Sequence, residues 1–275
     1  YDFPLTNYER KRTNVLATIP GLPQYDSNIN IPRWEGLCHA WAPAAMLFKN
    51  PAPIKVRNAD GIEIAFGSSD IKALLISFLH VVGSKQDRNF LGSRCSLDFA
   101  ELRKKVASGE ISEKQMKALM ENKECTDTNA GAFHVVLTNQ IGLMNEGFIV
   151  DLNRDAEVWN QPVYAYRTNV LSESDGASEG AAPETVREIL VETQVDYISE
   201  VTQSWVPVIE HGGIATETYS YRLELNNRGA IVGGAWVTFQ RPDFIWKRKA
   251  PAFSGFFLAL EELYKESTKE STTSH

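Results

Sequence analysis

Asn226-Asn-Arg-Gly229 stands between two runs, 214–225 and 230–240, that are rich in β-branched and aromatic residues. Asn and Gly accept the left-handed backbone of a tight turn, so the tetrapeptide reverses the chain and sets its two neighbours antiparallel. A third strand is expected over 186–202, and the chain beyond Trp159 reads as mostly β. Ser172 to Pro183 (SESDGASEGAAP) is small and polar and holds Gly and Pro, which predicts a loop or linker.

Upstream the pattern is helical. Ile71, Leu74, Leu75, Phe78, Leu79 and Val82 recur at i, i+3, i+4, i+7, i+8 and i+11, behind Asp70 as N-cap and before Gly83 as stop. Two more helices are expected over 97–107 and 112–122, the second opened by a Ser112-x-x-Gln115 capping box. At Phe133 the composition turns toward strand. Phe133-His-Val-Val-Leu-Thr-Asn and Gly147-Phe-Ile-Val-Asp-Leu, separated by a turn at Asn145-Glu-Gly, predict two paired strands.

A chain of 275 residues, 43% of them hydrophobic, can bury a full core without staples. Its charges, 28 Lys and Arg against 35 Asp and Glu, leave −7, which argues against a grip on nucleic acid or on anionic lipid. The longest apolar run, Ile71 to Val82, is broken by Lys72 and His80 and falls short of the ~20 residues of a bilayer span. The chain opens on Tyr-Asp-Phe-Pro without a charged and apolar leader, so any export signal is expected to have been removed or never present.

Three cysteines allow at most one internal bridge. Cys95 (GSRCS) and Cys125 (NKECT) sit in polar, loop-like sequence and are expected to pair, which implies an oxidising compartment and leaves Cys38 as a thiol. Cys38 lies in Trp34-Glu-Gly-Leu-Cys-His-Ala-Trp-Ala-Pro43. Proline lacks an N–H and fits a helix within its first turn, so a helix starting near His39 or Ala40 would hold Cys38 at its positive end, where the thiolate is favoured.

His134 follows on the first of the two paired strands, and Asp151 comes near the end of the second, where a hairpin would set the carboxylate beside the imidazole. Asn153 has the same side-chain parity and is the alternative orienter. A helix-mouth cysteine, then a histidine, then a carboxylate is the order of a papain-like thiol site. His39 and His80 read as surface or boundary residues, and Trp159, Trp236 and Trp246 as core or cleft walls. No Cys or His pair has a zinc spacing and no EF-hand loop is present, so metal ligands are unassigned.

The expected fold class is therefore α+β: a mainly helical N-terminal half carrying the papain-like Cys/His/Asp site, and an antiparallel β-rich C-terminal half. Along the chain this gives an extended arm over 1–33, a catalytic core over 34–170, a β-rich half packed on it over 171–263, and a disordered tail over 264–275.

Trp34-x-Gly-x-Cys-His-Ala-Trp-Ala-Pro-Ala-Ala, Phe133-His-Val-Val and Asp155-Ala-Glu-Val-Trp-Asn-Gln-Pro-Val163 resemble the oomycete transglutaminase elicitor family and its bacterial relatives. Tyr221-Arg-Leu-Glu-Leu, Ile231-Val-Gly-Gly-Ala-Trp236 and Pro242-Asp-Phe-Ile-Trp246 extend the resemblance over most of 34–250. It implies a secreted, calcium-stimulated protein-glutamine γ-glutamyltransferase that joins glutamine and lysine side chains of proteins through a cysteine thioester, with Cys38 as nucleophile and His134 as the histidine. It also implies that Val158, Trp159, Asn160, Gln161, Pro162 and Val163 form a surface segment that plants recognise, followed here by Tyr164-Ala-Tyr-Arg in place of a more basic stretch.

Such chemistry needs walls that exclude water, for which Trp34 and Trp41 are the candidates, and an oxyanion donor, for which the Cys38 N–H and the Trp34 indole N–H are. The thiol chemistry itself requires no cofactor; calcium enters as an activator through the resemblance. Two other readings stand beside this one, a papain-like cysteine peptidase or amidase and a non-enzymatic secreted recognition protein. Papain-like enzymes carry a glutamine shortly upstream of the nucleophile, and the nearest here, Gln24, is fourteen residues away, which speaks against the peptidase.

Overall fold

The computed structural model describes residues 36–83, 88–95, 97–120, 127–154, 156–208 and 213–269. One unit takes the described residues up to Gly83 with those of 201–212 and from 250 onward; the other takes those of 84–200 and 213–249. The expected arm over 1–33 lies outside the described residues, as do Trp34 and Cys125.

In the first unit, helix α1 (Cys38–Leu47) precedes a short hairpin, β1 (Ile54–Arg57) and β2 (Glu63–Phe66), and helix α2 (Ser68–Val82). α2 starts three residues earlier than its periodicity predicts. Asp70 is its third residue rather than its N-cap, and its Oδ2 accepts the Gly67 N–H at 2.9 Å. Gly67 is required there, because a Cβ would come 2.7 Å from the Trp205 ring. The predicted apolar stripe forms the core: Ile71, Leu75, Phe78 and Leu79 are buried with Ala40 of α1 and with Phe257 and Leu260. Phe78 stacks on Phe253 with centroids 4.2 Å apart. Leu260 lies on the helix Leu258–Ser267, so residues 264–267 are helical where a disordered tail was expected. The Phe257 and Leu260 anchors hold that helix down.

The second unit is built on a seven-stranded antiparallel sheet. Its strands are β3 (Arg88–Gly92), β4 (Phe148–Asp151), β5 (Asn160–Asp175), β6 (Arg187–Ile198), β7 (Ile214–Leu225), β8 (Ile231–Trp236) and β9 (Phe244–Arg248), in the order β3-β9-β4-β5-β6-β7-β8. The Asn226 turn joins β7 to β8 as predicted: Asn226 Oδ1 accepts the N–H groups of Arg228 and Ala230 at 3.0 Å, and Gly229 takes φ +76°. β5 runs through Asp175 and pairs Asp175 with Arg187, so the expected loop begins four residues late and the boundary expected between 170 and 171 falls inside a strand. Beyond Val170 this strand is exposed on both faces, which removes the apolar alternation that would have marked it.

Helices α3 (Phe99–Ala107) and α4 (Glu113–Met120) match expectation. Asp98 caps α3 by accepting the Glu101 N–H, and Ser112 and Gln115 form the capping box of α4. The segment around His134 does not match. It is helical, α5 (Ala130–Val136) running into a π-helical stretch, Leu137–Leu143, instead of a strand. Asn129 caps it, with Oδ1 accepting from Gly131 N at 2.9 Å and Ala132 N at 3.2 Å. Ala130, Phe133 and Leu137 fall on one helical face and are buried in the sheet core with Val163, Val191, Tyr219 and Tyr221. That burial overrides the strand preference of Val135 and Val136. Gly131 lets α5 touch β8, since a Cβ would lie 2.2 Å from the Gly233 carbonyl oxygen. The result is a mixed helix and antiparallel sheet protein.

Candidate active site

Cys38 carries a thiol and is the first residue of α1, half-buried. The helix therefore begins slightly earlier than the argument from Pro43 allows. Pro43 sits in its second turn, where it cannot donate back to the His39 carbonyl. The first turn is closed through Leu37, whose carbonyl accepts from Ala40 N at 2.9 Å and Trp41 N at 2.8 Å. Trp41, one of the expected walls, is half-buried on the same helix. His39 and His80, expected as surface or boundary residues, meet each other, with His39 Nε2 2.9 Å from His80 Nδ1.

His134 belongs to the second unit, whereas Cys38 belongs to the first. α5 lays the imidazole against the sheet, where its Nδ1 lies 2.8 Å from the hydroxyl of Tyr221 on β7. Burial lowers the pKa of the ring from its ordinary 6.5. Tyr221 is fully buried and its phenol is pushed far up by desolvation, so it meets the histidine as a neutral hydroxyl.

Asp151 ends β4, fully buried, opposite Asn160 of β5. Its Oδ1 accepts the Trp159 N–H at 2.9 Å. β4 pairs with β5 and β9, so the expected hairpin between the strands of His134 and Asp151 is replaced by a helix-on-sheet arrangement in which the ring's Nδ1 faces Tyr221. Asn153 is half-buried in the bend that follows β4.

The segment expected at the surface is largely internal. Asn160, Gln161, Pro162 and Val163 open β5 and all four are buried, while Val158 and Trp159 are partly covered. Asn160 Oδ1 accepts from the Trp246 indole at 2.7 Å, and Gln161 Nε2 donates to Glu200 at 3.2 Å. Trp159 donates its indole N–H to Glu157 at 2.9 Å.

A buried polar node that single residues did not advertise surrounds Asp243. Its Oδ2 accepts the Cys95 N–H at 2.6 Å, its N–H donates to the Asp151 carbonyl at 3.1 Å, and its carbonyl accepts from Thr128 N at 2.9 Å. Asp127 stands beside it between Arg154, at 3.3 Å, and Arg241. Burial raises the Asp243 pKa to about 7, offset by the Cys95 N–H and reinforced by Asp127. Cys95 is fully buried; its expected partner, Cys125, lies outside the described residues. Tyr221 and Thr193, also unforeseen as site residues, were marked only by the alternation of buried positions along their strands.

Among the described residues no group of three or more His, Cys, Asp or Glu side chains could hold a metal ion, so no calcium ligands are assigned. Among the same residues no helix is long and apolar enough to cross a membrane.

The family model for the transglutaminase elicitor matches residues 22–255. Among solved structures, the GP42 transglutaminase from Phytophthora sojae superposes with a TM-score of 0.64 at 23% identity, covering 93% of this chain and 71% of that one, a likeness of fold. Comparison with curated proteins returns no match.

Proposed function

The chain belongs to the transglutaminase elicitor family, and from that membership we propose that it is a protein-glutamine γ-glutamyltransferase acting through a cysteine thioester. The matched span, 22–255, contains both Cys38 and His134, and this is the observation that carries the reading. Cys38 Sγ attacks the γ-carboxamide carbon of a glutamine side chain, the C–N bond breaks, and ammonia leaves with a proton delivered by His134. A lysine ε-amine then attacks the thioester, gives its proton to His134 and expels the thiolate. Water in place of the amine yields deamidation, so the product ratio reports how well solvent is excluded. Secretion and a Cys95–Cys125 bridge belong to the same proposal, because such a bridge persists in an oxidising compartment.

The test is incorporation of a labelled primary amine into casein, with and without calcium, by the wild type and Cys38→Ala. The wild type should incorporate amine and the variant should not, and alkylation of the unreduced native protein should label Cys38 alone. Peptide cleavage without amine incorporation would establish a peptidase instead. Activity retained in Cys38→Ala would refute the nucleophile assignment.

A further inference from the structure

Tyr221 Oη stands between two partners, His134 Nδ1 at 2.8 Å and Thr193 Oγ1 at 2.8 Å. Thr193 continues to Thr168 Oγ1, again at 2.8 Å. These side chains come from three neighbouring strands: Thr168 and Thr193 face each other across β5 and β6, and β6 pairs in turn with β7, which carries Tyr221. Tyr221 and Thr193 are both fully buried. The phenol ring is wedged edge-on against Trp236 and Phe133, with centroids 5.1 and 6.0 Å away, which fixes where its hydroxyl points. A hydroxyl has one hydrogen, so with two partners it donates to one and accepts from the other.

We propose that Tyr221 is the positioning residue for His134: its Oη accepts the Nδ1–H and donates onward to Thr193, holding the imidazole in the tautomer whose Nε2 is bare. The inference rests on the reading of His134 as the proton-transfer group, and the polarity of the chain follows from it. Nε2 can take a proton from a thiol or an amine only when the hydrogen of the neutral ring sits on Nδ1. Tyr221 must then accept from the ring, which turns its own hydrogen toward Thr193 and that of Thr193 toward Thr168. Each buried link has one donor and one acceptor. Thr168, half-buried, ends the chain.

Long-range ¹H–¹⁵N spectra of the His134 ring, assigned by loss of the signal in His134→Gln, test this in the wild type, Tyr221→Phe and Thr193→Val. With the ring neutral, the wild type should show the Nδ1–H tautomer. Tyr221→Phe keeps the ring packing but should give mixed tautomers, with kcat for amine incorporation reduced roughly 10- to 100-fold and KM little changed. Thr193→Val should move both readouts the same way by less, and it carries the test alone if Tyr221→Phe does not fold. An Nε2–H tautomer in the wild type, or a tautomer unchanged by either substitution, overturns the proposal. Because the spectrum reads the ring directly, a protein without transferase activity defeats the functional reading while positioning is still judged. An active enzyme with an unmoved tautomer defeats positioning alone.

Discussion

A hydroxyl and a carboxylate leave opposite marks on a histidine. A carboxylate at Nδ1 stabilises the imidazolium and raises its pKa, whereas a neutral hydroxyl brings no charge to oppose desolvation. His134 has Tyr221 at its Nδ1, and burial lowers its pKa from 6.5. The amine-accepting step needs the neutral ring, so the rate should fall as pH drops through that lowered value. The acid limb of kcat/KM for amine incorporation is therefore expected below pH 6.5. A His134 ring that titrates above 6.5 when followed directly by NMR would mean that a charge opposes the burial, and would count against the neutral Tyr221 hydroxyl as its neighbour. As the structure stands, Asp151 braces the backbone of Trp159, at the entry to the segment that runs into β5.

Among the elements, α5 decides where His134 sits, and its start depends on Asn129. The side-chain oxygen satisfies two amide groups of the first turn, and the side-chain nitrogen donates to the Gly234 carbonyl of β8 at 3.0 Å. Asn129→Ala should cost about 1–2 kcal/mol in urea unfolding, and Asn129→Ser, which keeps an acceptor but not the tie to β8, should cost less. Equal losses would show that capping contributes nothing. This helix also marks the limit of what the sequence conveys. α2 was legible because its apolar residues repeat over three turns, and the β7–β8 hairpin because Asn226 and Gly229 have few alternatives. In α5 the helical spacing of Ala130, Phe133 and Leu137 was present but was outweighed by a local run of Val and Leu, a conflict that only the sheet beneath it resolves. The site divides in the same way. Cys38 stood out by its place before a proline-bearing helix, while Tyr221 became its histidine's neighbour through strand pairing that no local pattern encodes.

For the molecule as a whole, the chain passes between its two units four times, at 83/84, 200/201, 212/213 and 249/250. A cut at any of these points strands part of a core; one at Lys249, for example, removes Phe257 and Leu260 from the cluster around α2. Cys38 lies in the first unit and His134 in the second. The pH dependence of stability gives access to the second unit through the node at Asp243, which ties together Cys95, Thr128 and Asp151. Its pKa is raised from 3.8 to about 7, chiefly by burial. The native state therefore holds a proton that the unfolded chain releases, and the stabilisation is fully present below pH 3.8 and is lost as pH rises through about 7. His134 acts in the opposite sense: its lowered pKa costs stability as pH falls below 6.5, so the wild-type profile alone mixes the two. The difference between wild type and Asp243→Asn separates them. The amide imitates the neutral acid, accepting from the Cys95 N–H and donating toward Asp127, and cannot ionise. Melting temperatures measured across pH 3.5 to 8 should converge at the acid end, favour Asp243→Asn progressively up to about pH 7, and run parallel beyond it. Profiles parallel over the whole range would mean that Asp243 enters the fold already ionised, with Arg154 and Arg241 rather than a proton balancing the buried pair.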